Sequence, residues 1–387
     1  MDSRQEQLRG RLRAIGFDDV RFATLASISG EPLRAWLDAG MQADMHWMER
    51  SAEKRVRPEL VLPGAKSIVM LGVNYWKNAE RKPEAGEPIW ARYACYEDYH
   101  DTMKPGLVQA GRVLEEIYGV KNDDYRYYVD TGPVLERGWA ARSGVGFVGK
   151  NAMLISRRYG NWLFLAGILT RLDFSADAPV RKQASDFADV GLLCGKCTRC
   201  LDACPTNAFA QPGVVDSRRC ISYQTIENKG VIPRELRAGI GTRVYGCDVC
   251  LEVCPWNRFA QAGHAALLAA RGEIAQLSVR ELLELTPEKF AAVFRGTPIK
   301  RVKLVGLLRN ACVVAGNTND AAVLDSLVRL AAHELPVVRV HAVWAVHRLG
   351  GSTALAATRA NEKDALVLEE YAWWDAQSVS GKLRSSP

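Results

Sequence analysis

Eight of the ten cysteines in this chain fall between Cys194 and Cys254, and their spacing restricts the possible fold more than any other feature. Cys194-Gly-Lys-Cys197-Thr-Arg-Cys200-Leu-Asp-Ala-Cys204-Pro205 follows the pattern C-x2-C-x2-C-x3-C-P. Three thiolates on one tight loop reach three corners of a single 4Fe–4S cubane. The fourth cysteine, opening a following helix, points away and serves a second cluster. Cys247-Asp-Val-Cys250-Leu-Glu-Val-Cys254-Pro255 repeats the ending with one cysteine fewer, and Cys220 between the runs can supply the missing ligand. Crossing over as in two-cluster ferredoxins gives Cys194, Cys197, Cys200 and Cys254 to one cluster and Cys204, Cys220, Cys247 and Cys250 to the other. Structural zinc sites share the C-x2-C spacing, but zinc needs neither the x3-C-P endings nor the third cysteine of the first run. Two adjacent clusters form an electron relay, and a relay needs a recipient.

The remaining sequence divides into zones. Residues 1–185 mix helix and strand signals around a sheet, residues 186–260 carry the cysteines, and residues 261–387 are helical in pattern. Ser67–Tyr75, Tyr125–Asp130 and Trp162–Thr170 are short apolar or aromatic runs that suit strands. Asp101–Tyr118 has helical spacing. Ser278 with Glu281 forms a capping box, and Thr286-Pro287-Glu288 is a second helix start. Val302–Ala315, Asp320–Ala332 and Pro336–Leu349 follow as helices whose cadence predicts a small HEAT-like solenoid, with a frayed tail from Ser378. The fold class expected is α+β, with an N-terminal α/β domain, a ferredoxin-like two-cluster domain and a C-terminal helical domain. No stretch approaches the run of about 18 apolar residues that crosses a bilayer, and the polar N-terminus offers neither an apolar signal core nor a twin-arginine pair. Clustered cysteines in a chain without an export signal favour a reducing, cytoplasmic setting over a disulfide framework. A net charge of +7 permits an anionic partner.

Several longer motifs resemble one family. Cys-Gly-Lys-Cys-Thr-Arg-Cys, Arg219-Cys-Ile-Ser-Tyr-Gln-Thr-Ile-Glu227, Tyr245-Gly-Cys-Asp248 and Cys254-Pro-Trp-Asn-Arg258 are similar to epoxyqueuosine reductases. So are Arg92-Tyr-Ala94, Asp98-Tyr-His100, Val129-Asp-Thr-Gly-Pro-Val-Leu-Glu-Arg137, Pro298-Ile-Lys-Arg301 and Leu308-Arg-Asn310. The resemblance spans roughly residues 10–350. It implies reduction of epoxyqueuosine to queuosine at the tRNA wobble position, with cobalamin bound in the N-terminal domain, two 4Fe–4S clusters and an external low-potential electron donor. A monomer is the expected state.

By this resemblance Asp130 is the proton donor, and Tyr99 and His100 line the reaction side. Opening an epoxide places negative charge on oxygen, and a proton donor beside it lowers the barrier. Asp130 also precedes a Thr-Gly-Pro turn, where an aspartate acting only as a turn cap is common. Asp98-Tyr99-His100 opens like the corrinoid motif Asp-x-His-x-x-Gly, but position 103 is Met, so His100 is not assigned to cobalt. The resemblance assigns the corrin contacts to Arg55, Tyr93, Asp130, Thr131, Gly132, Pro133, Val134, Leu135, Leu154, Ser222, Cys247 and Asp248. Cys95-Tyr96 departs from the family pattern without touching an assigned role. Gly146, Gly149 and Lys150 resemble part of a phosphate loop with the wrong spacing, so no nucleotide site follows. Lys300, Arg301, Lys303 and Arg309, with Arg339 and Arg348 beyond, form a basic cluster expected to hold RNA phosphates. A reductive dehalogenase and an electron-carrier subunit are the rival readings. The first lacks its export signal here, and the second leaves the N-terminal domain without a purpose.

Overall fold

The computed structural model describes residues 3–25, 28–77, 84–181, 189–263 and 265–379. The expected boundary near residue 185 and the tail beyond 379 lie outside the described residues. The protein mixes helix and sheet and divides into two compact units. The first comprises Met1–Glu80, Tyr96–Cys220 and Asp248–Ala270; the second comprises Arg81–Cys95, Ile221–Cys247 and Arg271–Pro387. The cysteine-bearing stretch is thus shared, with Cys247 in the second unit and the other seven clustered cysteines in the first.

The first unit is built on an antiparallel sheet. Its named elements are α1 (Ser3–Ile15), β1 (Asp19–Thr24), β2 (Ser67–Asn74), α2 (Tyr99–Tyr118), β3 (Tyr125–Val129), α3 (Glu136–Arg142) and β4 (Leu163–Thr170). The strand order is β1-β2-β4-β3. Ser67 pairs with Thr24 on one side and Thr170 on the other, while Tyr125 pairs with Thr170 from the far edge. Every residue of β2 is buried. That explains its unbroken apolar run, because a strand covered on both faces has no polar side to alternate with. On one face Ile68, Met70 and Leu169 pack with Trp139 and Ala140 of α3. Strand alternation turns Phe22 the other way, beneath the Arg9 guanidinium of α1. The three expected strands and the α2 helix are present. Helix α2 starts two residues earlier than its apolar spacing predicts, because Asp98 accepts from the His100 backbone N–H as an N-cap.

The second unit is a helical body with one continuous core. Its main helices are α4 (Lys303–Gly316), α5 (Pro336–Arg348) and α6 (Ala365–Val379). Ser278 forms the expected capping box with Glu281, and Thr286 caps the helix Pro287–Val293. The expected Asp320–Ala332 helix is shorter. A 3₁₀ turn over Ala321–Val323, capped by Asp320, precedes a helix over Leu324–Leu330. Helices α4 and α5 touch closely at Gly316, where a Cβ would lie 2.6 Å from the Trp344 ring. From Gly306 to Gly316 every residue of α4 is buried, including Arg309 and Asn310.

Arg309 corrects an expectation. Its guanidinium is fully enclosed and donates to the backbone carbonyls of Gln224, Asn228 and Gly230. Burial pushes its pKa down to about 10. Asn310 donates to the carbonyls of Thr225 and Val244. The pair clamps the 221–247 segment onto α4. A side chain committed in this way has no surface to offer a phosphate.

Candidate functional site

Asp130 follows the last residue of β3 and adopts φ = +57°, a left-handed conformation that aspartate tolerates better than most residues. The turn it opens is tight. A Cβ on Gly132 would lie 2.3 Å from the Tyr128 ring, so only glycine fits there. The Asp130 side chain stands 62% exposed. The Tyr99 hydroxyl donates to Asp130 Oδ2 at 2.8 Å. His100 Nε2 approaches the same oxygen at 3.4 Å, within ion-pair range although outside good hydrogen-bond geometry. The other ring nitrogen, Nδ1, lies 2.7 Å from Asp98 Oδ1.

Burial alone lowers the His100 pKa, but contacts with Asp130 and Asp98 outweigh it and raise the value to about 9. His100 is therefore an imidazolium at neutral pH. The Tyr99 ring stacks between His100 at 4.1 Å and Phe164 of β4 at 4.4 Å, which fixes its hydroxyl over Asp130. The structure thus brings together all three residues assigned to the reaction. It adds Asp98, which the sequence placed in the Asp98-Tyr-His100 motif without a role, and Phe164, which the strand pattern treats as core.

Of the residues assigned to the corrin, Arg55, the 130–135 turn, Leu154 and Asp248 belong to the first unit. Arg55 donates to the Val134 carbonyl at 3.2 Å, and Val134, Leu135 and Leu154 share one apolar cluster. Glu136 follows directly. One of its oxygens is enclosed without a hydrogen-bond partner, and burial raises its pKa to about 8, with the Asp130 charge adding to the shift. Tyr93, Ser222 and Cys247 lie in the second unit, where Tyr93 packs against Tyr245 and Cys247 borders the core. The His100 imidazole fits a corrin bound without a protein histidine, since both its nitrogens face carboxylates.

Cys194, Cys197, Cys200 and Cys254 line one pocket with Lys150, Asn151, Ile155, Pro255 and Trp256. These are the four thiols that the crossed pattern gives to one cluster. Among the described residues no three His, Cys, Asp or Glu side chains converge on a single-ion site. The four thiols instead surround a space, as ligands at the corners of a cubane must. Burial and the neighbouring Cys194 and Cys254 sulfurs push the Cys200 thiol up to about 11, a cost that a bound cation reverses. The two short helices Arg199–Asp202 and Val249–Glu252 pack together, each leading into a Cys-Pro step. Asn151, Asn161 and Asn257 link side chain to side chain and reach the Cys250 and Leu251 carbonyls, tying the cysteine loops to the sheet. Cys204 accepts from the Ala208 backbone N–H at 3.3 Å.

Residues 193–257 match the family model for a 4Fe–4S double cluster binding domain, and residues 55–131 match that for epoxyqueuosine reductase QueG. Curated epoxyqueuosine reductases from Vibrio cholerae and Escherichia coli are 35% and 34% identical to the chain. The first alignment covers 88% of this chain and 90% of the relative, and the second covers 86% of each. The chain belongs to the epoxyqueuosine reductase family. A crystal structure of epoxyqueuosine reductase with an epoxyqueuosine-modified tRNA-Tyr stem loop matches with a TM-score of 0.85 and 32% identity, over 96% of this chain and 98% of that one. The Bacillus subtilis family member, with its catalytic Asp loop swung out of the active site, matches with a TM-score of 0.82 and 31% identity over the same shares.

Lys300, Arg301 and Lys303 are exposed, and Arg301 pairs with Glu227 at 2.6 Å. Pro298 and Ile299 of the same motif are buried, and Pro298 accepts from the Tyr245 hydroxyl. Arg339 is largely buried in a bidentate pair with Glu362, whereas Arg348 is exposed above the Trp344 ring.

Proposed function

We propose that this protein reduces the epoxide of epoxyqueuosine to queuosine at the wobble position of tRNA, in the cytoplasm, as a monomer. The observation that carries this reading is Asp130. Its carboxyl group stands on a left-handed turn, exposed on one side and gripped by Tyr99 and His100 on the other. The net reaction consumes two electrons and two protons and releases water, leaving the cyclopentene ring. Cobalamin, when bound, would supply the strongly reducing centre, with electrons reaching it from an external low-potential donor by way of the two clusters that the eight cysteines would hold.

The residues of the chain supply the protons and the geometry. Asp130 carries a proton from the His100 imidazolium, which faces its Oδ2 at 3.4 Å, to the epoxide oxygen as the C–O bond opens, so that negative charge never builds up unshielded. In the resting site the imidazolium charge holds the Asp130 carboxylate, and the pair takes up a proton again from water before the next turnover. Tyr99, pinned by its two stacking partners, holds the same oxygen in place between turnovers. Within the first unit the proposed corrin contacts are Arg55, the 130–135 turn, Leu154 and Asp248; the family resemblance also assigns Tyr93, Ser222 and Cys247, which belong to the second unit.

Residues 1–185 are read as the cobalamin-binding catalytic domain, residues 186–260 as the ferredoxin-type domain and residues 261–387 as a HEAT-like RNA-binding domain. Exposed Lys300, Arg301 and Lys303 are the proposed phosphate contacts, with Arg309 removed from the set. The direct test of the chemistry is Asp130→Asn, which preserves size and turn geometry while removing the transferable proton. Single-turnover rates should fall by about two to four orders of magnitude, with cobalamin binding intact by its visible spectrum. Near-normal turnover would return Asp130 to a turn cap.

A further inference from the structure

The run Val-Gly-Phe-Val-Gly-Lys150 has no part in the proton chemistry, and its spacing rules out a phosphate loop. The fold gives its last residue a different position. Lys150 lines the pocket of Cys194, Cys197, Cys200 and Cys254, the one cation among the lining residues described. Its amine donates to the backbone carbonyls of Gly195 at 2.7 Å and Cys197 at 3.1 Å, on the loop that carries the first two ligands. The stem is held as firmly as the head. It lies against Gly191 (φ = +75°), where a Cβ would sit 2.5 Å from Lys150 Cγ, and the Lys150 carbonyl accepts from Gly213 N–H. Phe147, Ile155 and Trp256 make the surroundings apolar.

We propose that Lys150 sets the reduction potential of the cluster held by Cys194, Cys197, Cys200 and Cys254, raising it relative to the other cluster. This rests on the two-cluster reading above. A cubane bound by four thiolates is anionic overall and gains one more negative charge on reduction. A fixed ammonium in a poorly screening pocket stabilises the reduced form more than the oxidised form. Lys150 is a positioning residue in this role: it ligates nothing and touches no substrate.

The test is a redox titration of the anaerobically prepared full chain, followed by electron paramagnetic resonance, for wild type, Lys150→Met and Lys150→Arg. Iron analysis comes first. Little iron in the wild type would defeat the two-cluster reading itself, a separate failure from the one tested here. In loaded Lys150→Met, one of the two clusters should show about a tenfold lower ratio of reduced to oxidised form at a fixed potential, or about 59 mV for a one-electron couple. The second cluster should not move, and Lys150→Arg should match wild type. If Met cannot retain the cluster, Lys150→Gln keeps a donor for the loop carbonyls, removes the charge and carries the same comparison. Unchanged potentials in a loaded neutral variant would overturn the proposal, as would an equal shift in the Arg and Met variants. Loss of iron from both neutral variants with retention in Arg would also overturn it, assigning Lys150 to cluster assembly instead.

Discussion

At the scale of single residues, Asp98, His100 and Asp130 form a row of alternating charges on the proposed reaction side. Its pH behaviour follows from the His100 pKa of about 9. The folded value lies above the ordinary one, so the charged imidazole is fully present near neutrality and is lost as pH rises through about 9. Turnover should therefore decline across that range. In Asp98→Asn, which removes one supporting carboxylate, the decline should move to lower pH. An identical profile in the two proteins would separate His100 from the chemistry. Glu136 titrates in the same sense from a different cause. Burial raises its pKa to about 8, so the fold favours its protonated form and loses that stability as pH rises from the ordinary carboxyl range through about 8. Thermal unfolding of Glu136→Gln should depend less on pH over this window than that of wild type, and parallel curves would contradict the assignment. Asp130 and His100 were singled out through the family motif, and the fold places them side by side. Asp98 belonged to the same motif as His100 with no role assigned to it; here it caps the helix and also holds the imidazole.

At the scale of elements, β2, β3, β4 and α2 were legible because continuous apolar runs and helical spacing survive in a two-sided core. The role of α4 was not. Arg309 in a basic segment reads as a surface residue, since arginine is seldom fully buried without partners. Its partners are carbonyls of the segment 221–247, which leave no mark in local sequence. Arg309→Ala would orphan buried carbonyls at about 1–3 kcal/mol each. It should lower the thermal midpoint markedly and loosen the segment ending in Cys247, with loss of iron from one cluster. Stem-loop affinity per folded molecule should be retained. Unaltered stability would mean that water or another donor satisfies those carbonyls.

At the scale of the whole molecule, the eight clustered cysteines and the helical C-terminal region were legible in outline, because ligand spacing and capping boxes are local signals. The division into two units was not, since residues 81–95 and 221–247 leave the first unit and join the second, and such long-range exchange has no signature in spacing or composition. Anaerobic preparations should contain close to the eight irons of two cubanes, and stoichiometric zinc in their place would contradict the ligand scheme. Lys300→Ala with Arg301→Ala should weaken binding of an anticodon stem-loop and flatten its salt dependence by about one unit of slope per lost phosphate contact. Equal binding across a salt series would place the RNA contact elsewhere.

Anaerobic turnover of an epoxyqueuosine-containing tRNA stem-loop, with iron-loaded protein, cobalamin and a strong chemical reductant and the nucleoside identified by mass spectrometry, decides whether this chain reduces the epoxide. Conversion to queuosine should require cobalamin and collapse in Asp130→Asn. Fully loaded protein that binds the stem-loop and leaves the epoxide intact would contradict this reading.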